Sequence, residues 1–169
     1  MDDLGGGLVH NATSGVAHYL GEDEADAIDY ARTVLAYLPS SCEVEPPTFA
    51  YAATRADRET ARELVNIVPD NDRQPYDVLD VIRRIVDYGE FVQVQELYAA
   101  SAVVGFACIE GHPVGIVANQ PKVNAGILDV NSSEKVARFV RLCDAFNLPV
   151  VTLVDTPGYK PCLLYTSDA

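Results

Sequence analysis

Apolar positions along this chain change period several times, and each period predicts an element. From about Glu22 to Leu38 they recur three and four apart (Ala27, Ile28, Ala31, Leu35, Leu38), which is one face of a helix. Glu22, Asp23, Glu24 and Asp26 load its first turn, where they suit the helix dipole, and Pro39 ends it. A second helix is predicted from about Val78 to Tyr88, with Val78, Val81, Ile82 and Ile85 as its stripe and Gly89 as its stop. Ala102–Glu110 and Val114–Ala118 are apolar, β-branched runs around Gly111-His112-Pro113, which reads as a hairpin turn. A third helix spans about Ser132 to Phe146, with Asn131 as N-cap, Glu134 reaching back, and Val136, Phe139, Val140 and Cys143 facing inward. Pro149–Asp155 is a continuous apolar run, the pattern of a strand buried on both faces.

The intervening segments lack periodicity. Residues 1–21 are glycine-rich and polar and read as loop. Residues 39–75 carry five prolines and many charges and read as a linker between two folding units. Strand, loop, helix and strand across 114–155 form a βαβ unit with parallel strands and a right-handed crossover. Both strands then open on one edge, where ligands of open α/β sheets bind. Topology alone therefore puts the site at Asn119–Asn131 and Thr156–Pro161.

Composition narrows the chemistry. The 169 residues are 49% apolar, enough for a packed core. A net charge of −13 excludes a general nucleic-acid or anionic-membrane surface. The charge is uneven: residues 1–90 carry a net −11 and residues 91–161 a net −1. An anionic small molecule is therefore better received by the second half. No apolar run approaches a membrane span, and the N-terminus has no secretory pattern, which makes the cytoplasm the expected compartment. The four cysteines form no C-x-x-C pair and the three histidines lie at no zinc spacing beside them, so no structural metal is expected.

Three motifs remain. Asp155-Thr156-Pro157-Gly158 has the D-x-x-G form of a GTPase turn, but no upstream G-x-x-x-x-G-K-[ST] exists, so that reading falls. It stands either as a plain strand-end turn or as part of the site. Asn119-Gln120-Pro121-Lys122 and Ala125-Gly126 fill the βα loop, where Gly126 lets backbone approach a ligand. Lys122, one of three lysines, either meets a phosphate or faces solvent. His10 and Ser14 lack a third partner and no strand-to-helix elbow carries the serine, so they read as polar loop.

With these residues in view, the chain resembles the carboxyltransferase (β) subunits of biotin-dependent acyl-CoA carboxylases, of the propionyl-CoA and acetyl/propionyl-CoA type. Leu4-Gly5-Gly6, Val9-His10 and Ser14-Gly15-Val16-Ala17-His18 are similar to the end of their first domain. Ile67-Val68-Pro69 and Gln74-Pro75-Tyr76-Asp77 are similar to the start of their second. Gly111 to Pro121, Ala125-Gly126, Leu128-Asp129, Ser133-Glu134-Lys135, Ala137 to Arg141, Cys143 to Asn147 and Asp155 to Gly158 are similar to its core.

The resemblance implies an α/β, crotonase-like (ClpP/crotonase) fold. On it, residues 1–38 end the N-terminal carboxyltransferase domain, 39–75 are linker, and 76–161 begin the C-terminal domain. Residues 162–169 depart from the family and read as a non-native tail, and Met1 as an internal methionine. The family transfers a carboxyl group from carboxybiotin to the α-carbon of a short acyl-CoA. It implies a biotin carboxylase and biotin carrier partner, with ATP used only by the biotin carboxylase, and a homohexamer. Both oxyanion-hole turns fall outside this chain, so no catalytic residue is assigned and the fragment alone is expected to be inactive. The residues expected to bind acyl-CoA or biotin are Asn119, Gln120, Pro121, Lys122, Ala125, Gly126, Asp155, Pro157 and Gly158. The α-subunit of a biotin-dependent acyl-CoA decarboxylase and a non-catalytic acyl-CoA-binding module are the alternatives.

Overall fold

The computed structural model describes residues 5–54, 59–60, 62–71 and 74–161. The tail expected at 162–169 and Met1 lie outside the described residues. Four strands form one sheet in the order β1 (Phe91–Val94), β2 (Ala102–Ile109), β3 (His112–Asn119), β4 (Val150–Leu153). The first two pairings are antiparallel and β3 pairs β4 in parallel, with Gly115 opposite Val150 and Ala118 opposite Leu153. The helices are α1 (Gly7–Ala12), α2 (Glu24–Tyr37), α3 (Val78–Ile85) and α4 (Val130–Ala145). Except that the turn is Glu110-Gly111 and that His112 and Pro113 belong to β3, the hairpin and the parallel βαβ pair are as the sequence predicts. β1 and α1 are not anticipated by it.

Alternation along β2 and β3 divides the core in two. Val104, Phe106 and Val117 face α2 and α4, meeting Tyr37, Phe139 and Cys143. Val103, Ala107, Val114, Ile116 and Ala118 face α3, meeting Val78, Ile82 and Val86. Because both faces are covered, β2 and β3 read as unbroken apolar runs. α4 lies close on β3: a Cβ at Gly115 would sit 2.5 Å from the Cys143 sulfur. Among the described residues no helix is long and apolar enough to cross a membrane.

Five local expectations need correction. β4 is not buried on both faces: Val150 and Thr152 are exposed, while Val151 and Leu153 pack towards α3. It is the edge strand of this sheet, and the α2–α4 layer stops short of it. In α2 the inward side chains are Val34, Tyr37 and Leu38, whereas Ile28 and Leu35 are exposed. Aromatic contact orients this helix, since Tyr37 stacks on Phe106 and the Tyr30 hydroxyl donates to Gln93 O. In α4, Val140 is exposed and the inward positions include Ser132 and Lys135.

The other two concern helix ends. α3 stops at Ile85 rather than Tyr88. Asp87 leaves the helix, and its carboxylate accepts the amides of Glu110 (2.8 Å) and Gly111 (2.7 Å) at the β2–β3 turn. Both turn residues have positive φ, the arrangement that suits a two-residue hairpin. α4 starts at Val130, and its N-cap is Asp129 rather than Asn131. Asp129 accepts from Ser132 N (2.8 Å) and the Ser132 hydroxyl accepts from Asp129 N (2.7 Å), a reciprocal capping box.

Lys135 is fully buried on the sheet-facing side of α4. Its ammonium donates to Gln95 O (2.9 Å) and Tyr98 O (2.7 Å), which pins the β1–β2 connection. Burial pushes its pKa down to about 8, with Glu96 opposing weakly. Between that value and the ordinary 10.5 the unfolded chain binds the proton more tightly, so this group's contribution to stability rises with pH. Lys135→Met leaves two carbonyls without a donor and should cost about 2 kcal/mol. The gap between wild type and variant should widen from pH 8 to 10.5 in urea titrations; a gap constant with pH contradicts the burial of this ammonium.

Candidate functional site

The site follows from where β3 and β4 end. The last residue of β3, Asn119, is buried, and its side-chain amide ties together the two loops that leave the strands. Nδ2 donates to Gly126 O (3.0 Å), and Oδ1 accepts from Asp155 N (3.3 Å). Gly126 has φ +73°, and a Cβ there would run into the Asp155 carbonyl, so only glycine allows the loops this close. Beyond the sheet the pairing resumes as a parallel bridge between Leu128 and Tyr159. Lys160 N donates to Leu128 O (2.8 Å) and Leu128 N to Gly158 O (3.3 Å). Residues 119–129 and 155–160 are thus one connected surface.

A second set of contacts anchors this surface to the start of α3. Gln120, also buried, accepts from Val78 N through Oε1 (3.2 Å) and donates through Nε2 to Asp77 Oδ1 (2.8 Å). Asp77 caps α3 by accepting from Leu79 N (3.0 Å) and receives the Lys122 ammonium on Oδ2 (3.2 Å). Desolvation pushes the Asp77 carboxyl up, but the hydrogen bonds from Gln120, Leu79 N and Lys122 outweigh it and hold it below the usual carboxylate range. The adjacent Tyr76 donates its hydroxyl to Asp155 Oδ2 (2.8 Å). Burial, then that carboxylate, pushes the phenol up to about 12, so it remains a donor through the physiological range. Asp129, at the start of α4, is held low chiefly by the Ser132 amide.

Two cavities open on this surface and share Ala125 and Pro157. One, of about 640 Å³, is lined by Pro75, Tyr76, Pro121, Lys122, Asp155 and neighbours. The other, of about 580 Å³, is lined by Asn124, Ile127, Gly158, Tyr159, Lys160 and neighbours. The wall between them is unusual backbone: Asn124, Ala125 and Gly126 all have positive φ. Two non-glycine residues held in the left-handed region are a local strain that the Asn119 and Gly126 contacts maintain.

Of the nine residues selected from sequence, Pro121, Lys122, Ala125, Asp155, Pro157 and Gly158 line the cavities. Asn119, Gln120 and Gly126 lie beneath them as supports. Lys122 does not simply face solvent; it is paired with Asp77. Sequence reasoning missed Tyr76 and Asp77, whereas Tyr159 and Lys160 lie in the loop it chose without being singled out. Asp77 carried a readable signal as the N-cap of the helix beginning at Val78. The reach of Tyr76 to Asp155 spans 79 positions and had none. Chemically, the site offers apolar walls, backbone amides and two exposed ammonium groups, which suits a long ligand that is apolar at one part and anionic at another.

Comparison with known proteins fits this geometry. Residues 1–164 match the family of carboxyl transferase domains. The propionyl-CoA carboxylase beta chain of Saccharopolyspora erythraea is 51% identical over 167 residues, covering 95% of this chain and 31% of that protein. The biotin-dependent acetyl-/propionyl-coenzyme A carboxylase beta5 subunit of Mycobacterium leprae is 49% identical over 166 residues, covering 95% and 30%. The transcarboxylase 12S hexamer structure with bound methylmalonyl-coenzyme A superposes with a TM-score of 0.90 at 41% identity, over 98% of this chain and 31% of that one. The chain thus spans about 31% of the first of these relatives. The α/β, crotonase-like carboxyltransferase fold implied by the sequence is the one observed. With the family match spanning nearly its whole length, this chain belongs to the carboxyl transferase domain family.

Proposed function

We propose that this chain is the acyl-CoA-binding part of the carboxyltransferase component of a biotin-dependent acyl-CoA carboxylase, acting on a short acyl-CoA such as propionyl-CoA or acetyl-CoA. One observation carries the reading: the loops leaving parallel β3 and β4 are stapled by Asn119 into one surface with two adjoining cavities and an exposed lysine at each. A CoA thioester needs this combination, an elongated trough with cationic points for its phosphates. In this reading residues 1–38 close one carboxyltransferase domain and 76–161 open the next. Their contact is direct, since Tyr37 of α2 shares a core with Phe106 of β2. The complete protein is a cytoplasmic homohexamer served by a biotin carboxylase and biotin carrier partner.

Carboxybiotin on that partner supplies the carboxyl group. Among the described residues the loop pair holds no buried side-chain polar atom left without a partner. The one buried side-chain polar atom without a partner among them, Asn11 Nδ2, belongs to a separate cavity lined by Tyr30 and Gln93. No step through biotin is therefore assigned to this chain. Its own work is to bind and orient the thioester.

Two experiments test this. Residues 1–161 can replace the matching segment in a propionyl-CoA carboxylase beta chain. The chimera should carboxylate propionyl-CoA with its biotin-bearing partner, whereas a chimera that assembles but only decarboxylates malonyl-type thioesters contradicts the carboxylase assignment. In the 169-residue chain, Gly126→Ala forces the loops apart and should weaken propionyl-CoA binding about tenfold or more by calorimetry. Unchanged affinity would remove the loop pair from the site.

A further inference from the structure

Only three lysines occur in this chain of net charge −13. Lys135 is fully buried and spent on two backbone carbonyls. The other two, Lys122 and Lys160, are the two that line the adjoining cavities. Lys122 already has an anionic partner. Its ammonium lies 3.2 Å from Asp77 Oδ2, with side-chain exposures of 58% and 25%. Asp77 is fixed by other contacts, namely the α3 cap and the Gln120 amide. The carboxylate therefore stays while the flexible lysine stem can move. An exposed pair of this kind is worth little, so a phosphate can take the ammonium over at small cost.

We infer that Asp77 tempers the preference of this site for phosphate-bearing thioesters: it holds the Lys122 ammonium beside the cavity in the empty protein and yields it to a ligand phosphate on binding. The inference rests on the acyl-CoA reading above and deepens it. Holding Lys122 against a carboxylate has two consequences. It keeps the ammonium near the cavity mouth. It also sets a threshold, because a ligand must out-compete a fixed carboxylate. A dianionic phosphate does so, while a neutral pantetheine thioester gains nothing from Lys122.

The test compares two probes, propionyl-CoA and S-propionyl-pantetheine, which share the thioester arm and differ in the phosphates and the adenosine that CoA carries. Calorimetry on the 169-residue chain gives the ratio of their affinities. Asp77→Asn keeps the cap acceptor and removes the charge, so the ratio should rise roughly two- to fivefold, the range of an exposed ion pair. Asp77→Ser, which also caps helices well, should raise it likewise and guards against a folding defect in one variant. Lys122→Met should lower the ratio, Lys122→Arg should restore most of the loss, and adding Asp77→Asn to Lys122→Met should change nothing further.

A ratio that falls or stays level in both Asp77 variants overturns the inference. So does a rise that persists in the Lys122→Met background, which would place the effect in the carboxylate's field and not in its hold on Lys122. A wild-type chain that binds neither probe overturns the acyl-CoA reading itself, and this inference with it, and is distinct from either result above.

Discussion

The side chain of Asn119 is the point on which this structure turns. One amide group, buried at the end of β3, satisfies a carbonyl in the loop before α4 and an amide in the loop after β4. It joins the two loops where they leave neighbouring parallel strands, ahead of the Leu128–Tyr159 bridge further out. With it, Gly126 is drawn against the Asp155 backbone, Leu128 pairs with Tyr159, and the cavities form on either side of Ala125. A buried amide has little alternative, because leaving its donor or acceptor unpaired costs about 1–3 kcal/mol. The geometry of the site is thus maintained by an ordinary requirement of polar burial.

The rest of the fold keeps β3 and β4 where Asn119 can act. Helices on both faces of β2 and β3 exclude water from the ladder, and α4 is pressed so close that Gly115 cannot carry a side chain. Lys135 extends this packing to the β1–β2 connection, where the buried Gln95 in turn donates to Gly15 O. That contact reaches 80 positions back along the chain, so the N-terminal segment rests on the same body as the site. The start of α3 serves both ends: its residues Val78 and Ile82 fill the core, while Asp77 and Tyr76 hold the two loops.

Much of this was legible in the sequence. The β-branched runs at 102–110 and 114–118, the glycine-containing turn between them and the helix before Pro149 required a βαβ unit, and its edge located the loops. What could not be read was decided by partners distant in sequence. β1 is four residues with only Phe91, Val92 and Val94 apolar, and it is a strand because β2 pairs with it. α3 loses its last turn because Asp87 is needed at the hairpin amides. Lys135 was not among the inward positions expected on α4, yet two carbonyls from another segment make its burial possible. α2 is turned by the Tyr37–Phe106 contact away from the face its aliphatic spacing suggested. The family resemblance supplied the proposed activity, while the contacts of Tyr76 and Asp77 with the two loops emerged only in three dimensions.

The central claim is that the joined loops form the thioester site. Amide NMR of the uniformly labelled 169-residue chain, titrated with propionyl-CoA, tests it directly. The account predicts that shifts concentrate at residues 119–128 and 155–160, with Tyr76 and Asp77 moving alongside them. Shifts centred instead on the cavity around Asn11, Tyr30 and Gln93, with the loop pair silent, would contradict it.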